Sequence, residues 1–571
     1  MSKSKKPDPI ITDLPPREDA VRFIPLGGLG EIGANCHLFE CGGELLMVDC
    51  GQKMPGEEMP GVDYVIPDFT YVREHIKQFK AIVITHAHED HSGALPYFLR
   101  EFPDTPVHVG AYGMALLKEK MSEHKLRPRF HELKARTPVR LSANFTVEPI
   151  SVTHSMIDTM ALAIRTPVGV IIHSADFKMD PNPPDGVAFD HFAFARYAEE
   201  EEDGILLLLS DSTNVHRAGS CPSEMEVIPG LEALFRSAPH TIVLSTFASS
   251  MHRLQNVLNL AAKHGREVVA CGLNMERNIR VARKLGVLDI PCKYHDDPRA
   301  VKGIPRHKRL ILCTGSQGEP NSSLTRIALG THREVFIEED DLVILSARMI
   351  PGNEGGIYKL INHLARRGAK VITEHHSRIH VSGHAYRDDM KHLINLTDPK
   401  FFVPVHGEYR HLKEHCRLAM EQGLQKHEVQ LVEDGDVLEV TKKGMRVLGK
   451  APHGRVLVDG KGIGDVDEFI LRDRRFLSQD GMVVAVLGVD HETGELLSGP
   501  EIALRGFTIQ DGGTDAQEIL RNVVLEAWEE MGAEMRSDVD EAQTAVKKAL
   551  RGYIRKQADR YPMILVTVMG L

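Results

Sequence analysis

Cysteine is scarce: eight in 571 residues, none in a C-x-x-C pair. That is too few for a disulfide scaffold in a chain this long. Cys36, Cys41 and Cys50 lie in or beside strand-like runs and read as buried thiols. Aromatic residues are also few, at 6%, with Trp528 the single tryptophan. No apolar run approaches the roughly 18–20 residues of a membrane-crossing helix. The longest, such as Ile205–Leu209, have the length of buried strands. Met1–Ala20 has no apolar signal core and reads as a flexible tail. A cytoplasmic protein without membrane contact is therefore expected. A basic excess is lacking too: 69 Lys and Arg stand against 80 Asp and Glu, a net charge of −11. This disfavours indiscriminate coating of nucleic acid but allows a local basic groove. Repeats and low-complexity tracts are absent.

What remains is an ordinary globular composition, 42% hydrophobic and 26% charged. Its length calls for two to four domains. The distinctive feature is 30 histidines, many clustered beside aspartate. Clustered imidazole and carboxylate is what metal chemistry uses.

Residues 21–50 alternate like a β-meander, with strands at Val21–Leu26, Asn35–Glu40 and Glu44–Asp49. Gly28-Leu29-Gly30-Glu31-Ile32-Gly33 matches the G-x-G-x-x-G dinucleotide fingerprint. That fingerprint must open a helix, whereas Ala34–Cys41 is strand-like, so no dinucleotide site is expected. From about 64 to 240 the pattern is mixed α/β. Strands at Phe79–Thr85, Asn144–Ser151, Gly169–His173 and Ile205–Leu209 each end beside polar residues. Residues 240–370 have the strand–helix rhythm of a doubly wound parallel sheet. The His-rich style returns in Thr373–His384 and Val403–His411, so residues 221–371 read as an insertion into the first domain. The expected organisation is a tail at 1–20, a first domain at 21–220 and 372–450 interrupted by 221–371, and a C-terminal α+β unit at 451–571. Trp528 is expected to anchor a core or an interface in that last unit.

The strongest signal is His86-Ala87-His88-Glu89-Asp90-His91, directly after a buried strand. Two imidazoles two residues apart can grip one ion, and Asp90 with His91 a second. Neutral imidazole and carboxylate suit Zn²⁺, with Mn²⁺ close behind. Further ligands must come from elsewhere, and three strand ends offer His154, Asp176 and His406. Each alone would also suit an ordinary polar residue.

H-x-H-x-D-H followed at long intervals by His, Asp and His resembles the order of metallo-β-lactamase-fold hydrolases. Arg22–Gly33, Asp211-Ser212-Thr213-Asn214, Thr246–Arg253 and His380-Val381-Ser382-Gly383-His384-Ala385 resemble the ribonuclease J family, of the β-CASP subgroup. The resemblance covers about residues 20 to 571. It implies an αββα metallo-β-lactamase sandwich with the insertion as a β-CASP domain. His86, His88 and His154 would hold one metal; Asp90, His91 and His406 the other; Asp176 would bridge them. Asp90 would also orient the attacking water. His384 would contact the scissile phosphate and assist the leaving oxygen, with Asp211 orienting it. His380, Val381, Ser382, Gly383 and His384 would form a pocket for a 5′-monophosphate, with Ser249 beside it. Asp49 would support the His loop from behind.

The implied activity is hydrolysis of single-stranded RNA, mainly 5′→3′ from a monophosphorylated end with some endonuclease action, in RNA maturation and decay. A homodimer or homotetramer and RNA-decay protein partners are implied with it. A hydrolase of small esters, thioesters or lactones could use the same metal loop, but has little use for a 150-residue insertion over its site. A DNA-directed β-CASP nuclease would differ in handling the 2′-hydroxyl, for which no reader is evident. A non-catalytic RNA-binding scaffold would lack ligands, and none is missing.

Overall fold

The computed structural model describes residues 10–11, 15, 17–200, 204–350, 352–490, 493–507 and 515–571. The expected tail, residues 1–20, lies largely outside them. Of the part described, Ile11 N–H donates to the Lys450 carbonyl at 2.6 Å. The chain divides into two compact units, residues 1–53 with 66–455, and 54–65 with 456–571. No helix among the described residues is long and apolar enough to cross a membrane.

The larger unit contains a sandwich of two sheets. One begins as the expected meander, with Val21–Gly27, Cys36–Cys41 and Glu44–Val48 antiparallel. It continues through the parallel strands Phe79–Val83, Pro106–Gly110 and Arg129–Leu133. The other runs Phe401–Val405, Ile205–Asp211, Val170–His173, Met160–Arg165, Thr146–Ser151, Val139–Arg140. Phe23, Phe39, Leu46 and Val83 of the first sheet pack on Leu162, Ile171, Leu207 and Val403 of the second. The second sheet's outer face, through Ile172, Leu208 and Phe402, is covered by helices His191–Glu200, Arg387–Thr397 and Tyr409–Glu421. Helix Leu95–Glu101 lies against the first sheet, with the rings of Phe98 and Phe79 5.5 Å apart, so helix, sheet, sheet and helix stack in αββα order. The segment 28–33 opens no helix: Leu29–Gly30 pairs with Gly407–Glu408, and the strand Cys36–Cys41 comes next.

Between the two passes through this sandwich, the chain forms a separate six-stranded parallel sheet. Its order is Tyr294–His295, Glu267–Cys271, Arg309–Cys313, Ile242–Ser245, Leu342–Leu345, Lys370–Ile372. Alternate residues of each strand enter two different cores: Leu244, Ala270 and Leu312 in one, Val243, Val269 and Ile311 in the other. Both faces are therefore buried, as runs of continuous Val, Ile and Leu require. Ile205–Asp211 and Phe401–Val405, which flank this excursion, lie side by side in register.

The directions of the sandwich strands place the chemistry. Phe79–Val83 runs parallel to Glu44–Val48, and Val170–His173, Ile205–Asp211 and Phe401–Val405 are mutually parallel. Two successive antiparallel steps return Thr146–Ser151 to the same sense. All six strands then end toward one rim, where Asp49, His86, His154, Asp176, Asp211 and His406 follow or close them. This is the edge at which α/β sheets carry ligands.

The smaller unit contains the sheet Leu496–Arg505, Met482–Val489, Met563–Gly570. Helices Ala516–Glu530 and Val539–Ala558 cover one face through Leu520, Val524, Val546 and Leu550, with Trp528 in the same core.

Asp434 shows a cost of packing the larger unit. Burial first, then the neighbouring Glu31 carboxylate, push its pKa up to about 7, against the pull of Lys53 and Lys450. Its carboxyl still accepts the Leu29 N–H at 3.0 Å. A raised folded-state pKa means the folded state binds the extra proton, so this stabilisation is complete below about pH 4 and disappears as pH rises through 7. Asp434→Asn keeps the acceptor without the charge. In denaturant titrations the variant should exceed the parent most clearly above pH 7, with the gap closing toward pH 5; parallel pH profiles would refute the assignment.

Candidate metal centre

His86 to His91 stand where the strand Phe79–Val83 gives way to the short helix Glu89–Ser92. After Gly93-Ala94 a second helix starts as Leu95–Glu101, with Pro96 in its first turn, where the missing N–H costs nothing. The loop is pinned by backbone bonds: Asn35 N–H to the Asp90 carbonyl at 2.9 Å and Cys50 N–H to the His91 carbonyl at 2.8 Å. A Cβ on Gly51 would lie 1.7 Å from the Asp90 oxygen, so only glycine fits there.

The structure brings all seven expected ligands together. Donor atoms of His86, His88, His154 and Asp176 lie within 4.8 Å of one another, as do those of Asp90, His91, Asp176 and His406. Asp176 belongs to both groups. Outer hydrogen bonds decide which ring nitrogens are bare. His154 Nδ1 lies 2.7 Å from the Gly383 carbonyl, which can only accept, so that nitrogen carries the proton and Nε2 faces the cluster. Thr85 gives its hydroxyl proton to Asp49, so its oxygen accepts from His86 Nδ1 at 3.1 Å. Asp49 accepts from His91 Nδ1 at 2.7 Å. Thr213 gives its proton to Asp211 and accepts from His406 Nδ1 at 2.7 Å. Four imidazoles thus turn a bare Nε2 inward. His88 joins them through Nδ1, 2.9 Å from His86 Nε2, when its Nε2 proton points at Ser249 Oγ, 3.0 Å away.

Converging lone pairs beside a carboxylate need a cation. Asp176 Oδ2 lies 3.7 Å from His86, 3.3 Å from His91 and 3.7 Å from His154. Its Oδ1 is buried with no hydrogen-bond partner among the described residues. Burial first, then neighbouring groups, hold His86 and His154 well below the usual imidazole range, and burial likewise lowers His88. They stay neutral, as ligands must. Burial also disfavours charge on His91 and His406, but Asp176 with Asp90, Asp49 and Asp211 outweighs it and raises both well above the usual range. Positive charge is thus favoured where the second ion would sit. The residues present fit two divalent ions.

Asp211 closes its strand fully buried, and its Oδ2 accepts from His384 Nδ1 at 2.8 Å. Asp211 and then Asp176 raise the His384 pKa against the larger opposing effect of burial. Asp176, Asp211, His384 and His406 also converge. There, however, Asp211 is already engaged by Thr213 and His384, so this group is a hydrogen-bonded network.

In the loop 380–384, Val381 packs its side chain into the inserted sheet's core, leaving only its backbone to face the site. Ser382 Oγ accepts from His384 N–H at 3.2 Å and from the Asn214 amide at 2.9 Å. His380 is held well below the usual range, by burial and then by Arg253, Arg348, Arg217 and Lys178. Ser249 Oγ lies 3.0 Å from His88 Nε2. Asp49 has φ of +62° and also accepts the Thr85 N–H at 2.8 Å.

Several participants have no role assigned by the sequence. Thr85 belongs here, as do Thr213 and Arg253, although both lie in segments that carry the family resemblance. So does a buried pair: His173 Nδ1 accepts the Ala175 N–H at 3.1 Å, leaving its Nε2–H to donate to His37 Nδ1 at 2.9 Å. His37 Nε2 then finds no partner among the described residues.

Sandwich, inserted parallel sheet and paired donor groups define a metallo-hydrolase of the metallo-β-lactamase fold carrying a β-CASP domain. Comparison with known proteins agrees. The metallo-beta-lactamase superfamily matches residues 29–207, and "Ribonuclease J, beta-CASP domain" matches 239–364. "Zn-dependent metallo-hydrolase RNA specificity domain" matches 368–430, and "Ribonuclease J C-terminal domain" matches 469–571. A ribonuclease J of Synechocystis is 40% identical over 558 residues, covering 96% of this chain and 86% of that protein. One of Thermus thermophilus is 38% identical, covering 97% and 96%. Ribonuclease J2 of Bacillus subtilis is 36% identical, covering 96% and 98%. A crystal structure of an Enterococcus faecalis protein of unknown function shares the fold, with a TM-score of 0.50 at 16% identity, covering 75% of this chain and all of that one. The chain belongs to the ribonuclease J family.

Asp49 gives a direct check on the support beneath the ions. In Asp49→Asn one of the two acceptor oxygens becomes an NH₂, which meets either the Thr85 N–H or the His91 Nδ1–H and leaves a buried donor unmatched, at a cost of about 1–3 kcal/mol. Chemical denaturation of the metal-free protein should show that loss; unchanged stability would mean Asp49 carries none of it.

Proposed function

We propose that this chain is a metal-dependent ribonuclease that degrades RNA mainly 5′→3′, prefers a 5′-monophosphate, retains some endonuclease activity and serves RNA maturation and decay in the cytoplasm. The observation that carries the reading is the pair of donor groups sharing Asp176, with His384 and Asp211 against them. The relatives' names supply RNA as the substrate class.

An all-imidazole and carboxylate donor set favours Zn²⁺, with Mn²⁺ next. Bound there, the two ions supply Lewis-acid stabilisation of phosphate oxygens and lower the pKa of water. The protein's own groups do the rest. Asp90, partly exposed, lies 3.5 Å from His406 and stands where it can orient an attacking water. Asp211 holds His384 Nδ1–H and so commits Nε2 to the substrate side, where it can hold a proton at the departing oxygen. Arg348, Arg217 and Lys178 around His380 give the 380–384 loop the positive surroundings that a terminal phosphate requires. The covering insert favours a strand-like substrate over a small ester or lactone.

A homodimer or homotetramer, together with partners in RNA decay, completes the proposal. Phe469, Ile470, Phe476 and Leu477, exposed on helix Glu468–Gln479 of the smaller unit, support an interface there.

One RNA prepared with 5′-monophosphate, triphosphate and hydroxyl ends, beside a DNA of the same sequence, tests the reading. Mononucleotides should appear fastest from the monophosphate end, only with Zn²⁺ or Mn²⁺, and not from DNA. His384→Ala should lower kcat by about 10²–10⁴-fold, the usual worth of general acid catalysis, with bound metal unchanged. Intact RNA under every metal condition would sink the proposal.

A further inference from the structure

We propose that the inserted domain sets the affinity of one metal position, that of His86, His88 and His154, because it fixes two of the three imidazoles from behind. The inference rests on the metal-dependent reading of the site and goes beyond it to say what controls metal loading.

The two positions are supported asymmetrically. His91 and His406 are backed by Asp49 and Thr213, both at sandwich strand ends. His86 is backed by Thr85 of its own strand. His88 is different. Its outer nitrogen meets Ser249 Oγ at 3.0 Å, and Ser249 lies between the inserted strand Ile242–Ser245 and the helix Met251–Lys263. Only with its proton on that side does His88 turn a bare Nδ1 toward His86 and His154.

His154 is reached from the same domain by a longer route. Its outer proton goes to the Gly383 carbonyl. A Cβ on Gly383 would lie 2.8 Å from His154 Cε1 and 2.9 Å from Nδ1, so the loop presses directly on the ring. The other end of the loop is fastened to the insert. The Ile379 carbonyl accepts from Arg253 Nη1 at 2.9 Å and from Ser346 Oγ at 2.6 Å. Arg253 is itself 1% exposed and paired through two nitrogens to Glu224. Seating of the inserted sheet therefore acts on where the Gly383 carbonyl stands, from the opposite end of the loop to the sandwich contacts of Asn214 with Ser382 and of Asp211 with His384.

Partners behind metal-bound imidazoles are worth about 10–100-fold in metal affinity. Coupling of this kind is reciprocal: if the seated insert tightens the metal, the metal tightens the seating by the same factor. A substrate that shifts the insert would loosen one ion and leave the other in place.

The test is competition of the metal-free protein against a chromogenic chelator for Zn²⁺, with hydrogen exchange on the same samples. Wild type should titrate in two steps. Ser249→Ala should weaken one step about 10–100-fold and leave the other unchanged. Ser249→Thr, which restores the hydroxyl, should recover it. Zinc should protect the helix Met251–Lys263 from exchange in wild type, and less so in Ser249→Ala. Gly383→Ala, which displaces His154 from its other side, should weaken the same step. Titrations of Ser249→Ala that superimpose on wild type, or equal weakening of both steps in a folded variant, would overturn the inference. A wild type that binds no zinc would instead defeat the metal-dependent reading itself.

Discussion

A buried negative charge at Asp176 is the constraint on which the rest depends. Its side chain is 2% exposed, and its ion-pair neighbours among the described residues are all histidines. Removing a carboxylate from water costs several kcal/mol unless positive charge answers it. In the metal-free protein His91 and His406 answer it, their protonation favoured by Asp176 despite burial. Cations at two positions would take over that role. The surrounding architecture turns one ring proton of each of five imidazoles outward, so that in their neutral forms their lone pairs face the centre. The outward partners matter as much as the ligands. A carbonyl, a carboxylate and three hydroxyls decide the tautomers.

The sandwich brings the site residues together. Six strands ending at one rim place donor atoms from residue 86 to residue 406 in two groups, within 4.8 Å of one another in each. The backbone is strained where it leaves the strands: Asp49, Ala175 and His406 have φ of +62°, +53° and +54°. Non-glycine residues in this region typically cost about 1–3 kcal/mol each and persist only where packing dictates them. Here the apolar runs beneath them, such as Leu206–Leu209 and Phe401–Val403, supply that packing.

Legibility in the sequence tracks the range of the signal. His86–His91 is readable because four ligands fall in six residues after an apolar strand. The parallel inserted sheet is readable because its strands are unbroken Val, Ile and Leu. His154, Asp176 and His406 are readable as candidates from their strand ends, but their division into two groups comes only from the family resemblance. What backs the imidazoles is not readable. Ser249 and His88 are 161 positions apart, and Gly383 and His154 are 229 apart. Serine, threonine and glycine are too common for such contacts to show in composition or spacing. Ser249 stands out in the sequence only as a neighbour of the phosphate loop, and its hydroxyl lies against a metal ligand.

The His37–His173 pair has a further consequence. Its hydrogen bonds run in one direction, from His37 as acceptor back through His173 to the Ala175 amide, and the His37 ring N–H at their end meets no acceptor among the described residues. Through the described side chains, the floor of the centre therefore offers no onward relay for a proton. At the mouth, the side chains of His384 and Asp90 reach solvent. Charge and cleaved product leave through the same doorway, so anything that plugs it halts both at once.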